Sequence, residues 1–329
     1  MARQISPRRT PLQGIERVGR NQGQLWAIVL AGGEGVRLRP LIRRVFGDER
    51  PKQYAALLES RSLVRQTLDR VALSIPPERT TVVTHRKHVA YIAAEFGEAL
   101  CPKVLIQPVD RGTAAGVLFP GHWISWRDPD AIVAVFPSDH FVLGEAAFMN
   151  RVMEVAAFVR RHPQWLVLLG ARPTEPETEY GWIELGDPVS HLSSEPVCKV
   201  RGFCEKPPEE VALRCFSSGC VWNTFVFISH VATLIEVARQ FLPTLSGRLA
   251  RIAPFSGTEA ESWAIAQAYA FAPSANFSRG ILEHCPPFLA ATRLPALMWS
   301  DLGTPARVVK TMRAAGMSPP WLAEVENSA

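Results

Sequence analysis

Residues 25–40 read LWAIVLAGGEGVRLRP. The run 25–31 is apolar and uncharged, which reads as a buried strand. The chain leaves it through Gly32, Gly33 and Gly35, with Arg37 just beyond. In an open parallel sheet, ligands bind outside the carboxyl ends of the strands. Glycines let backbone N–H groups approach a phosphate closely and adopt positive φ. Arg37 can then make bidentate bonds to phosphate oxygens. Downstream, ERPKQY (49–54) offers Lys52 as a second cation behind Pro51. The stretch predicts a strand followed by a loop that holds a nucleoside triphosphate. It has neither the Gly-Lys-Ser/Thr ending of a Walker A loop nor the Gly-x-Gly-x-x-Gly spacing of a dinucleotide fold. Taken alone, a glycine turn after a strand is equally well a tight structural turn.

Working outward, short apolar runs alternate with helix-like stretches. The runs are 80–85 (TTVVTH), 103–108 (KVLIQP), 131–137 (AIVAVFP) and 165–171 (WLVLLGA). Between them, SLVRQTLDRVALSI (62–75) and EAAFMNRVMEVAAFVRRH (145–162) carry helical character, the latter with an apolar stripe at 148, 152, 155, 156 and 159. The pattern predicts an α/β, Rossmann-like, mostly parallel sheet with helices on both faces. From about residue 178, EYGWIELG, VCKVRGFCEKP and CVWNTFVFIS read as extended segments, an antiparallel insertion on that sheet. From about 230 to the end, helices are expected to dominate, interrupted by Pro-rich stretches such as HCPPFLAATRLP. No hexapeptide array signals a β-helix. The expected division is a basic flexible tail over 1–24 and one catalytic domain over 25–329. Whether the helical C-terminal part packs on that domain or forms a homodimer stays open.

Composition narrows the function class. Of 329 residues, 47% are hydrophobic and 20% charged, which is globular. The net charge of +5 sits almost wholly in residues 1–24, with five Arg and one Glu; the rest carries 31 basic and 30 acidic residues. A near-neutral body without a nucleic-acid module argues against nucleic acid as partner. No apolar run reaches the roughly 18 residues that span a bilayer, and the N-terminus lacks the apolar centre of a secretory signal. None of the six Cys forms a Cys-x-x-Cys pair. Reduced thiols and a cytoplasmic location are expected.

The loop and its sequel, LAGGEGVRLRPLIRRVFGDERPKQY, resemble the signature of sugar-phosphate nucleotidyltransferases. The Pro-Lys-Gln form looks most like mannose-1-phosphate guanylyltransferases. Val36 stands where that family usually has Thr. The resemblance extends over residues 25 to about 305 through further ordered motifs. VFPSDH (135–140) delivers Asp139 at a strand end, the place of the family's first metal-binding aspartate. Mg²⁺ suits such a carboxylate because it takes oxygen ligands and keeps its waters. His140 reads as structural. WSDLGT (299–304) resembles the Trp-x-Asp-x-Gly element, making Asp301 the second metal ligand. GFCEKP (202–207) resembles the Glu-Lys-Pro element, in which Lys206 neutralises the sugar phosphate and Glu205 accepts from sugar hydroxyls. EYGWIE (179–184) puts Gly181 against the sugar. VWNTFVF (221–227) does the same with Asn223, while Trp222, Phe225 and Phe227 read as core.

IQPVDRGTAAG (106–116) resembles the base-recognition segment, which usually carries Glu-Pro and Arg-Asn-Thr-Ala. Here Gln107 replaces the carboxylate, and an amide can also read a pyrimidine. SANFSRGILE (274–283) resembles a sugar-pocket segment, with Asn276-Phe277 in place of Asp-Tyr. The resemblance thus implies nucleotide contacts from Leu30, Ala31, Gly32, Gly33 and Gly35, and from Gln107, Gly112 and Ser138. It implies catalytic roles for Arg37, Lys52 and Lys206. The implied reaction is nucleotidyl transfer from GTP to mannose-1-phosphate, giving GDP-mannose and pyrophosphate with Mg²⁺ as cofactor. A relative using another NTP or sugar, and a catalytically silent nucleotide-binding regulatory subunit, are the alternatives. A glycosyltransferase would need an Asp-x-Asp motif, and PSDH supplies one aspartate.

Overall fold

The structure is a computed structural model that describes residues 23–96 and 102–326. The basic tail expected over 1–24 therefore lies almost wholly outside the described residues. Strand β1 (Leu25–Leu30) runs into helix α1 (Arg39–Phe46) through the glycine loop. Then come α2 (Leu63–Ala72), β2 (Thr80–His85), α3 (Val89–Glu95), β3 (Lys103–Gln107) and α4 (Gly112–Arg127). Strands β4 (Ile132–Pro137) and β5 (Phe141–Leu143) precede α5 (Glu145–Arg161) and β6 (Leu166–Ala171). The long strands β7 (Gly181–His191) and β8 (Pro196–Glu205) lead through α6 (Glu209–Ser217) to β9 (Val221–His230). Helices α7 (Val231–Phe241), α8 (Pro243–Ala250) and α9 (Glu261–Ala270) follow, then β10 (Leu289–Arg293), β11 (Met298–Ser300), α10 (Pro305–Ala314) and α11 (Pro320–Glu326).

The central sheet has nine strands in the order β3-β2-β1-β4-β9-β6-β10-β8-β7. Strands β1 to β4 are mutually parallel, and β10 runs parallel to β6. Strand β9 runs antiparallel between β4 and β6, and β7 pairs antiparallel with both β8 and β9. The mostly parallel α/β architecture with an antiparallel insertion is thus observed.

Alternate residues of β1 face opposite cores, as a pleated strand requires. Ala27 and Val29 join Val64 and Leu68 of α2 and Val152 and Val155 of α5. Ile28 joins Leu118 of α4, Leu234 of α7 and Leu249 of α8. A third cluster holds Leu38 and Ile42 against Val308 and Met312 of α10 and Trp321 of α11. Helix α4 is buried from Ala114 to Ile124 on every side, so it shows no amphipathic stripe. Helix starts are capped locally: the Ser62 hydroxyl accepts from Arg65 N–H, and that of Thr304 from Arg307 N–H, each at 3.2 Å.

The expectation of a helical chain from 230 onward needs a correction. The stretch FLAATR, read as a Pro-rich interruption, forms β10, and it lies inside the sheet between β6 and β8. Leu289, Ala290 and Ala291 are fully buried. Their small size and short run left too little β signature beside the two prolines.

Candidate active site

Because β1 to β4 are parallel, their carboxyl ends carry the glycine loop, His85, Gln107 and Ser138 to one edge of the sheet. The loop is held from below. Gln53 Nε2 donates to the carbonyls of Ala31 (3.1 Å) and Gly33 (2.8 Å). The Tyr54 hydroxyl donates to Ala31 O at 2.9 Å, and burial pushes its pKa up to about 12. The Ser138 hydroxyl donates to Leu30 O at 2.7 Å, so its placement also braces the strand end. Gly35 takes the positive φ expected of the loop, 59°, while a Cβ there would lie 3.0 Å from Lys52 N. Gly32 and Gly33 do not take positive φ.

One side of this loop walls a cavity of about 150 Å³ lined by Leu30, Gly32, His85, Gln107, Asp110 and Gly112, among others. The other side walls a cavity of about 250 Å³ lined by Gly35, Val36, Arg37, Leu38, Lys52, Asp139 and Gly303. Lys52 is 8% exposed. Its Nζ lies 3.1 Å from Asp139 Oδ2 and donates to Asp301 O at 2.6 Å. One ammonium therefore bridges the carboxylate of Asp139 and the backbone carbonyl of Asp301, residues 162 positions apart in sequence. Asp301 Oδ1 accepts from Tyr180 OH (2.9 Å), Gly303 N (2.9 Å) and Arg307 Nη1 (2.7 Å). Burial pushes the Asp301 carboxyl up, but Arg307, Lys52 and His140 outweigh it and hold it below its usual range. His140 is packed edge-on against Trp299 at 5.3 Å, with its Nε2 3.6 Å from Asp139 Oδ1.

A second group forms at the junction of β7, β8 and β9. A Cβ on Gly181 would lie 2.7 Å from Glu205 Oε2 and 3.2 Å from Asn223 Cβ, so only glycine leaves room there. Asn223 Oδ1 accepts from Phe225 N–H at 3.0 Å. Burial raises the Glu205 pKa, against the pull of Ser278 and Lys206. Lys206 follows directly. Its Nζ lies 3.6 Å from Glu179 Oε2, and the same oxygen lies 2.5 Å from Arg37 Nη1. Glu179 thereby links the glycine loop to the sugar-binding candidates. Trp222 and Phe227 are buried, and Phe225 is half-buried and packs edge-on against the rings of Phe227 and Phe277. Phe277 is fully buried and stacks on Phe227 at 5.1 Å, so it belongs to the core, and Asn276 is exposed.

Among the described residues, three non-glycines have positive φ: Lys206 (51°), Phe225 (58°) and Leu302 (49°). Leu302 neighbours Asp301, and the other two flank the Gly181 group. Such backbone costs on the order of 1–3 kcal/mol and clusters at functional sites. Several residues of the site were not singled out from the sequence: Gln53, Tyr54, Asp110, Glu179, Tyr180, Tyr269 and Arg307. Gln53 and Tyr54 stood in PKQY, Asp110 in QPVDRG, and Glu179 and Tyr180 in EYGWIE, while Tyr269 and Arg307 had no local signal.

A family profile described as nucleotidyl transferase matches residues 26–316. Xanthan biosynthesis protein XanB from Xanthomonas campestris is 32% identical over 223 residues, 67% of this chain and 45% of that protein. A mannose-1-phosphate guanylyltransferase from Sinorhizobium fredii is 30% identical over 282 residues, 84% of this chain and 52% of that protein. The chain thus spans about half the length of these relatives. The crystal structure of mannose-1-phosphate geranyltransferase from Thermus thermophilus superposes with a TM-score of 0.70 at 30% identity, over 85% of this chain and 76% of that one. No described helix is long and apolar enough to cross a membrane.

Proposed function

Since the chain belongs to the nucleotidyl transferase family, we propose that it transfers a nucleotidyl group from GTP to mannose-1-phosphate, giving GDP-mannose and pyrophosphate. A phosphate oxygen of the sugar-1-phosphate attacks the α-phosphorus. The bond from the α-phosphorus to the bridging oxygen breaks, and pyrophosphate leaves with that oxygen. Such a reaction asks little covalent chemistry of the protein. Positioning and charge stabilisation carry it.

The observation that carries this reading is the Arg37–Glu179–Lys206 arrangement, two cations sharing one carboxylate oxygen between the glycine loop and the Gly181 group. Arg37 binds the pyrophosphate end and Lys206 the attacking phosphate. Lys52 assists at the triphosphate. Backbone of residues 30–35, with Gln107, Gly112 and Ser138, holds the nucleotide. Gly181, Glu205 and Asn223 hold the sugar.

Asp139 and Asp301 fit Mg²⁺. They are hard oxygen donors, Lys52 bridges the Asp139 carboxylate to the Asp301 backbone, and Asp301 collects its three donors on Oδ1 alone. No described cluster of three or more His, Cys, Asp or Glu could hold an ion unaided, whereas Mg²⁺ is commonly held by one or two carboxylates plus substrate phosphates. When bound, the ion neutralises phosphate charge.

The test is pyrophosphate release with Mg²⁺, mannose-1-phosphate and each of four NTPs. Activity with GTP supports the reading. Activity confined to another NTP replaces the base, a second reading favoured by the amide at Gln107. Silence with every NTP and sugar-1-phosphate sinks the enzyme.

A further inference from the structure

We propose that Asp110, not Gln107, is the carboxylate that reads the base, and that with Gln107 it selects guanine. This inference rests on the nucleotidyltransferase reading of the site. It starts from Tyr269, whose side chain is fully buried. A buried phenol must donate its hydrogen or lose the full desolvation cost of an unmade bond. Its recorded acceptor is Gln107 Oε1 at 3.0 Å. That bond decides the amide orientation. Oε1 faces Tyr269, and the amino group faces the cavity under the glycine loop. Accordingly, a Cβ on Gly32 would lie 3.5 Å from Gln107 Nε2, and one on Gly116 3.9 Å from it. Gln107 therefore presents the base with a donor. It cannot replace a carboxylate that accepts from guanine N1–H and N2–H₂.

An acceptor is supplied three residues on. Asp110 lines the same cavity of about 150 Å³ as Gln107 and His85. Its Oδ1 accepts from Gly112 N–H at 2.7 Å, which sets the side chain at the start of α4, 3.9 Å from His85 Nε2. No bond is recorded at its Oδ2 among the described residues. The cavity thus offers an amide donor beside a carboxylate acceptor. Guanine matches that order along its Watson–Crick edge, with the O6 acceptor followed by the N1–H and N2–H₂ donors. Adenine and cytosine turn an amino group toward the Gln107 amino group. Uracil satisfies the first two positions and then sets its O2 carbonyl against the carboxylate.

The test compares kcat/KM for GTP, ITP and UTP in the wild type, Asp110→Asn and Gln107→Glu. ITP lacks only the guanine 2-amino group. The wild type is expected to prefer GTP over ITP by about tenfold or more, the worth of a bond to a charged acceptor. Asp110→Asn keeps an oxygen for Gly112 N–H, and should bring the GTP/ITP ratio close to one. Gln107→Glu keeps an acceptor for Tyr269 but sets a carboxylate against O6, and should lower GTP use. An unchanged GTP/ITP ratio in Asp110→Asn overturns the assignment. So does a rise in GTP use in Gln107→Glu, which would mean that position 107 faces the N1–N2 edge. Wild-type enzyme that ignores GTP fails the underlying nucleotide reading instead, before any substitution is made.

Discussion

The Glu179 carboxylate lies 2.5 Å from the Arg37 guanidinium, although the two residues are 142 positions apart. Lys206 approaches the same oxygen. A side-chain carboxylate therefore stands where the proposed mechanism puts substrate phosphates, and binding must displace it. Both partners are nearly half exposed, at 47% and 45%, so the pair is worth at most about 1 kcal/mol. Glu179→Gln is expected to lower KM for the phosphate substrates by up to about fivefold. Steady-state kinetics at low salt checks this, and the effect should shrink at high salt. A raised KM would instead make Glu179 a group that orients the two cations.

Lys206→Ala should raise KM for the sugar-1-phosphate by about tenfold to a hundredfold, the range of a charge-assisted bond. NTP affinity, read by equilibrium binding, should stay within about twofold. Equal loss of both would remove Lys206 from its separate role.

Gln53→Ala takes two donors from the glycine loop, at Ala31 O and Gly33 O. Ala31 O keeps Tyr54 and Thr84 as donors, but no other donor to Gly33 O is recorded among the described residues. Stability should fall by about 1–2 kcal/mol, a few degrees in Tm. Catalysis should fall further, by about tenfold to a hundredfold, because the loop loses its position. A melting curve and kcat/KM for the triphosphate on one preparation separate the two effects.

His122 lies buried in α4 with Nε2 3.1 Å from Ser246 Oγ, and burial pushes its pKa down to about 4. The unfolded chain, with an ordinary His pKa near 6.5, binds the proton more readily than the native state. Stability is therefore fully present above about pH 6.5 and declines as pH falls towards about 4. The loss reaches about 3 kcal/mol, following the linkage slope of about 1.4 kcal/mol per pH unit. Urea midpoints between pH 8 and 4 measure it. His122→Gln should flatten that part of the profile, and an unaltered slope would place the titration elsewhere.

Much of this architecture was legible because it follows from local pattern. Strands β1, β2, β4 and β6 are largely buried on both faces, and with the edge strand β3 they read as short β-rich runs, each within a residue or two of its observed limits. Asp139 and Gln107 end such strands, so their position on the sheet edge followed directly. What stayed hidden depends on distant partners. Helix α4 is apolar all round and offers no period to read. Strand β10 draws its identity from β6 and β8 rather than from its own composition. Gln107 was visible, but the direction of its amide is set by Tyr269, 162 residues away. Glu179 and Asp110 stood inside recognised motifs without a role of their own, and the fold alone gives Glu179 its two cations and Asp110 its place on the cavity wall.

Strand β10 has a consequence for how the molecule assembles. It enters the sheet between β6 and β8 only after residues 289–293 have left the ribosome. Until then, the interior edge of β6 has no strand partner on that side, and the β7–β8 hairpin is joined to the sheet through β9. An open edge of this kind is a template for pairing with another chain, and closing such a distant contact is slow. A nascent or truncated chain ending before residue 289 should therefore expose a sticky seam through the middle of its sheet, and β10, late in the polypeptide, acts as the keystone that seals it.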